Sequence, residues 1–176
     1  MPETENSDKH PTEGFKTQIY KPQTIPLIEV INPIANIDRL AFQKDRLRWL
    51  RLLAMFNSPA CTIAVLRSLN EEIVGFSVII PIGEFDHNRE AENGETAYIS
   101  NTALHPNYQN RGLSTGLLDT IDEYLRKEGY QYVERHARIN NGYAAKLLRR
   151  YGEKVLDSKI VDQETNQPRQ WMRIRL

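Results

Sequence analysis

The stretch from Thr96 to Tyr151 constrains the fold most, because it alternates strand and helix patterns twice. Thr96 to Leu104 is apolar and β-rich and ends at His105-Pro106. Gly112 to Lys127 then places Leu113, Leu117, Leu118, Ile121, Tyr124 and Leu125 on one face of a helical period. Gly129 stands where a left-handed residue ends such a helix. Tyr130 to Ala137 predicts another strand, and Asn141 to Tyr151 a short helix closed by Gly152. On either side the strands follow one another directly. Thr62 to Leu69 and Ile73 to Ile80, joined by Asn70-Glu71-Glu72, predict a hairpin. Lys154 to Val161 and Gln170 to Leu176 predict two final strands around the turn-prone Asp162 to Pro168. The class is therefore α/β: one domain with a mixed, mostly antiparallel sheet and helices on both faces.

Upstream, Pro26 to Ile31 is a short β-rich run closed by Asn32-Pro33 and predicts the first strand. From Ile34 to Phe56, apolar residues at Ile37, Leu40, Ala41, Leu47, Leu50, Leu53 and Ala54 have helical spacing, which Asn57-Ser58-Pro59 stops. The expected order is β-α-β-β-β-α-β-α-β-β. Residues 1–23 hold Pro2, Pro11, Gly14 and Pro22 with little periodicity, and predict a disordered or loosely packed arm ahead of a domain over 24–176. A tail without function and a substrate-covering arm are both open.

Charge and composition narrow the function. The 176 residues include 23 basic and 23 acidic side chains, a balance that argues against gross nucleic-acid binding. No apolar run approaches the ~20 residues of a membrane span, so no membrane association is expected. Met1 to Lys9 is polar and acidic, unlike a secretory signal or an Arg-rich transit peptide, and the expected location is cytoplasmic. The single cysteine, Cys61, excludes an intramolecular disulfide and a Cys-based zinc cage. Four scattered histidines, His10, His87, His105 and His136, lack ligand spacing, so no metal is expected. The neutral total hides local imbalance. Residues 135–150 carry Arg135, Arg138, Lys146, Arg149 and Arg150 without an acid, either a solvated face or an anion-attracting one.

Chemistry concentrates in Leu104-His-Pro-Asn-Tyr-Gln-Asn-Arg-Gly-Leu-Ser114, between a strand and an amphipathic helix. A glycine there allows a tight turn, and the helix start offers unpaired N–H groups and a favourable dipole, so phosphate is the natural ligand. Arg111 can add a charge-assisted contact. The segment lacks Gly-Lys-Ser/Thr and GxGxxG, so it is neither a P-loop nor a dinucleotide fingerprint. A second element, Asn141-Gly-Tyr-Ala144 with Leu148 and Gly152, follows at a suitable distance.

Together these residues resemble the GNAT superfamily of N-acetyltransferases. Gln109-Asn110-Arg111-Gly112-Leu113-Ser114 resembles its Gln/Arg-x-x-Gly-x-Gly/Ala signature, and Leu104-His-Pro106 the preceding Val-x-Pro. Asn141-x-x-Ala144 and Gly152 resemble the next motif, and the element order fits over about residues 25–176. The resemblance implies acetyl-CoA as acyl donor, held between two strands, Thr96–Leu104 and Tyr130–Ala137, that splay at their C-terminal ends. It implies pyrophosphate on the N–H groups of Gln109 to Ser114 and Thr115, and pantetheine along Thr102, Ala103 and Leu104 like an added strand. A backbone N–H near Thr102, exposed by a β-bulge, would polarise the thioester carbonyl. Asn141 would bond the pantetheine arm. An amine of a small molecule or peptide would attack directly, and a homodimer is open.

This chain departs from the pattern at several positions. Ser114 replaces the second Gly/Ala, a small substitution. The Tyr that protonates the leaving thiolate in many members falls at Leu148, and the Phe after the glycine is Glu153. Tyr151 stands in as candidate acid, while Tyr143 lies too early on the same helix. Family bases often sit on the fourth strand, here at Tyr98 and Ser100, and Glu95 or Glu84 could act through water. His105 reads as a surface residue and His136 as a packed or cofactor-facing one. The acceptor side would be formed by Asp45 to Trp49 and Asp162 to Glu164. That acidic loop suits a cationic amine or is a plain surface turn; Trp49 lines the site or is core, and Trp171 reads as packing. The alternative reading is a catalytically silent acyl-CoA-binding or interaction module.

Overall fold

Ile73 to Ile80 is a run of eight residues buried on both sides, which only the middle of a sheet covered on both faces can accommodate. The computed structural model describes residues 14–21, 27–42, 46–161 and 168–176. Its elements are β1 (Phe15–Tyr20), α1 (Leu27–Phe42), α2 (Arg46–Phe56), β2 (Thr62–Ser68), β3 (Ile73–Pro81) and the single turn α3 (Ile82–Phe85). They continue with β4 (Thr96–Leu104), α4 (Leu113–Lys127), β5 (Tyr132–Arg138), α5 (Tyr143–Tyr151), β6 (Val155–Val161) and β7 (Arg169–Arg175). The seven strands form one sheet in the order β1-β2-β3-β4-β5-β7-β6. Every pairing is antiparallel except β4 with β5.

Each face has its own core. On one side, Leu113, Leu117, Ile121 and Leu125 of α4 and Ala144 and Leu147 of α5 pack on Ile99, Val133, Met172 and Ile174. On the other, Val30, Ile34 and Ile37 of α1 and Leu52 and Phe56 of α2 cover Ile63, Phe76, Val78 and Tyr98. No helix among the described residues is long and apolar enough to cross a membrane.

Two expectations at the start of the chain are corrected. Residues 15–20, read as part of the arm, form a strand paired with β2 from Phe15↔Ser68 to Tyr20↔Ile63. Residues 1–13 and 22–23 of that arm lie outside the described residues. The run read as a first strand, Pro26 to Ile31, instead starts α1 from Leu27, and the helix continues through Pro33. The stripe Val30, Ile34, Ile37, each at most 1% exposed, decides the matter. Burial of a helical face outweighs the β preference of single Val and Ile residues.

The loop between β3 and β4 is fastened by charge. Glu134 of β5 is 1% exposed and accepts from Arg89 at 2.8 Å, from Arg173 at 2.9 Å and from Trp171 Nε1 at 3.1 Å. Glu92 bonds both arginines and is held at about 2 by them, Arg89 first. Removing one member of a buried pair leaves the other uncompensated. Glu134→Ala is therefore expected to cost about 3–5 kcal/mol of unfolding free energy, read by denaturant titration; a cost below about 1 kcal/mol, the range of exposed pairs, would contradict this picture.

Candidate functional site

β4 and β5 run side by side for only four pairs, Thr96↔Tyr132 to Ile99↔Arg135, and then part. On the other edge of β4 the register with β3 slips between Ile79↔Ile99 and Val78↔Asn101, which leaves Ser100 as the extra residue of a β-bulge. The bulge thus lies at Ser100, not at Thr102, which keeps its register with Ser77. Beyond Ile99, the β5-facing backbone groups of β4 have no strand partner among the described residues.

The parted strands enclose a cleft of about 400 Å³. Thr102, Ala103, Leu104, Gln109, Asn110, Ser114 and Asn141 all line it, so the fold gathers the core of both motifs. Gln109 Nε2 donates to the Leu104 carbonyl at 3.0 Å, which ties the loop to the strand end. Asn110 (φ 60°) and Gly112 (φ 73°) are left-handed and swing the backbone into α4. Gly112 is the N-cap and has no side chain to fill the helix start, so the first N–H groups of α4 face the loop without a side-chain cap. Leu113 is buried and anchors that turn. Arg111 is exposed and lies over the Tyr108 ring, and Thr115 is exposed. Asn141 Oδ1 accepts from Tyr143 N at 3.0 Å, and Ala144 is buried in the core under α5.

Arg135, 2% exposed, sits at the point where the strands part. Its Nη2 donates to Thr102 Oγ1 at 3.0 Å and to Tyr143 Oη at 2.9 Å, while Nε and Nη1 have no partner. Thr102 Oγ1 also lies 2.9 Å from Ser77 Oγ. Tyr143 lines the cleft, although its place in the sequence argued against a role. Its position as the first residue of α5, opposite a strand that points at it, brings it there.

The other candidate catalytic residues fall elsewhere. Tyr151 is buried, and its hydroxyl donates to Asp122 at 3.0 Å; burial pushes it up to about 12. Glu95 is exposed at the start of β4, the end opposite the parting point. Glu84 is exposed and accepts from Ser58 Oγ at 3.3 Å. Leu148 is half-buried against the α4–α5 core. His105 Nδ1 accepts from the Asn107 N–H at 3.3 Å. Of the basic run, Arg135, Arg138 and Lys146 line the cleft, whereas Arg150 is paired with Asp119 and Asp122. Asp45 and Asp162 to Glu164 lie outside the described residues. Among the described residues no group of three or more His, Cys, Asp or Glu side chains could hold a metal ion.

His136 emerges on the α1 side of the cleft. Its Nδ1 is 2.8 Å from Tyr98 Oη, and Tyr98 is itself buried and stacked on Phe85 at 3.9 Å. Burial first, and the charge of Arg169 second, pull the imidazole from its usual value near 6.5 to about 4. The folded state therefore binds fewer protons than the unfolded chain between those values. Stability is full above about pH 6.5 and declines as the pH falls towards 4. An NMR titration of the His136 ring is expected to show a midpoint near 4, and His136→Gln to lessen the acid-side decline. A midpoint near 6.5 would contradict the geometry.

Comparison with known proteins agrees with this architecture. The family model described as acetyltransferase (GNAT) family matches residues 30–152. No curated protein matches the chain. A GNAT family acetyltransferase from Elizabethkingia anophelis, solved with acetyl-CoA bound, is 16% identical over 93% of this chain and 99% of that chain, with a TM-score of 0.61. Ard1 from Thermoplasma volcanium is 14% identical over 93% of this chain and 98% of that one, with a TM-score of 0.62. An IAA acetyltransferase from Bacillus cereus is 13% identical over 92% and 99%, with a TM-score of 0.60. At such identities the structures speak for the fold. The family model covers well over half of the chain, and the chain belongs to the acetyltransferase (GNAT) family.

Proposed function

We propose that the protein transfers an acetyl group from acetyl-CoA to a primary amine of a small molecule or peptide. One observation carries the reading: the strands part beside a start of α4 without a side-chain cap, in a cleft with no Asp or Glu among the described residues that line it. A pyrophosphate needs the helix start, and an amide-bearing arm needs an open strand edge. The residues present fit both. Bound acetyl-CoA supplies an acyl carbon activated as a thioester.

In this reading the N–H groups from Asn110 to Ser114 hold phosphate, with Thr115 and Arg111 at the rim, while the Gln109 N–H is given to the Pro106 carbonyl at 3.2 Å. Thr102, Ala103 and Leu104 offer main-chain pairing, and Asn141 and Lys146 close the α5 side. The Ser100 bulge presents the backbone N–H that polarises the acyl carbonyl. Tyr143 Oη accepts from Arg135, so its own proton is free to be given into the cleft. His136 is neutral at pH 7. In the tautomer that donates from Nδ1 to Tyr98, its Nε2 lone pair accepts a hydrogen bond from an amine that arrives neutral, and orients it for attack. Tyr151 and Glu95 have no part in this chemistry.

A second reading, an acyl-CoA-binding module without turnover, is favoured by Leu148 at the family's usual phenol position. Release of free thiol from acetyl-CoA in the presence of amines separates the two. Gly112→Asp puts a carboxylate and a strained left-handed residue where phosphate belongs, and should weaken acetyl-CoA binding by about tenfold or more, or ~1.4 kcal/mol. Unchanged affinity in the folded variant would contradict the loop's role. Tyr143→Phe should lower kcat by about 10²-fold with a far smaller change in acetyl-CoA affinity. An unchanged kcat would assign the proton to another donor.

A further inference from the structure

Pairing of β5 with β7 sets three opposed residue pairs on the α1 side of the sheet: Glu134 with Arg173, His136 with Trp171, and Arg138 with Arg169. The first is oppositely charged and closes at 2.9 Å. The third places two arginines opposite each other at the open end of the cleft, and both line it. Like charges directly opposite on neighbouring strands are destabilising unless something offsets them. Arg138 lies over the Phe42 ring, 4.8 Å from its centroid. Arg169 has no hydrogen bond or ion pair among the described residues, and its Nε is buried without a partner. Elsewhere on this face Arg89 and Arg173 share Glu92 and Glu134, and Lys159 lies over the Trp171 ring, 5.0 Å from its centroid. The charge left over is at Arg169.

The phosphates of an acyl donor do not account for it. The start of α4 and Lys146 of α5 lie on the opposite side of the sheet, with Arg135. Arg169 shares the α1 side with His136 and Phe42, where an acceptor amine approaches the Ser100 bulge. We propose that Arg169, with Arg138 opposite, binds the carboxylate of an acceptor that carries both an amine and a carboxylate, an amino acid being the simplest. Two residues of strand, about 7 Å, separate His136 from Arg138, and a flexible arginine stem covers part of that span. The spacing suits an amine and a carboxylate a few bonds apart, and disfavours a diamine, whose second ammonium would meet the guanidinium groups. The inference rests on the acetyltransferase reading and narrows its acceptor.

The test is thiol release from acetyl-CoA with α-amino acids, ω-amino acids of two to four carbons, their amides and matched diamines. Calorimetric titration with acetyl-CoA alone runs beside it. Carboxylate-bearing amines are expected to exceed their amides in kcat/KM by about tenfold or more, the worth of one charge-assisted pair. Arg169→Gln should erase that lead, mainly through KM, with acetyl-CoA affinity unchanged, and Arg169→Glu should turn preference towards diamines. The α- and ω-amino acid arms report which spacing the site takes. A wild-type preference for amides or diamines, a lead that survives Arg169→Gln, or no turnover of any carboxylate-bearing amine by protein that binds acetyl-CoA would overturn the inference. Absence of acetyl-CoA binding would instead overturn the acetyltransferase reading beneath it.

Discussion

The parting of β4 from β5 after Ile99 and Arg135 is the constraint on which the site depends. A parallel pair of strands inside an otherwise antiparallel sheet must be joined by a crossover, and α4 is that crossover. Its start therefore lies beside the end of β4, next to the strand edge that β5 has left. Two devices act at the parting point. The Ser100 bulge breaks the register of β4 with β3, and Arg135 reaches across to Thr102 and Tyr143. Backbone groups that would be costly if buried are thus left to a ligand.

Charge is divided between the two sides of the sheet in a way that supports separate tasks. On the α4–α5 side, Arg150 is spent on Asp119 and Asp122 and holds two helices together. Lys146 lines the cleft on this side, and the start of α4 carries no side-chain cap. On the α1 side, Glu134 and Glu92 neutralise Arg89 and Arg173 and fix the loop ahead of β4. Beyond them burial first, and the charge of Arg169 second, hold the His136 pKa well below its usual value. Arg169 thus adds to the effect of burial on His136 and, in the proposed reading, also meets the acceptor's carboxylate.

Much of this was legible in the sequence, for identifiable reasons. The hairpin of β2 and β3, the four elements from β4 to α5 and the two last strands follow from local periodicity and end at turn residues. The turn from β4 into α4, proposed as the phosphate loop, was legible as a turn because its glycine and its flanking strand and helix are contiguous. β1 was missed because its Phe15, Thr17, Ile19 alternation is short and lies among Gly14, Lys21 and Pro22. The first turns of α1 were misread because Val30 and Ile31 favour strands in isolation, and only the stripe continued by Ile34 and Ile37 reveals the helix. The bulge at Ser100 and the encounter of His136, Arg138 and Arg169 depend on strand register, which no local pattern encodes. Tyr143 was discounted by its spacing from the family motif, whereas its hydroxyl reaches Arg135 across the cleft.

Hydrogen–deuterium exchange of the protein with and without acetyl-CoA tests the central claim most directly, because it reads backbone N–H groups at the strand edge and the helix start. The account predicts new protection confined to residues 100–104 and 109–115, with little change in β1, β6 or the loop ahead of β4. Protection absent from both segments at saturating acetyl-CoA, or concentrated on another surface, would contradict it.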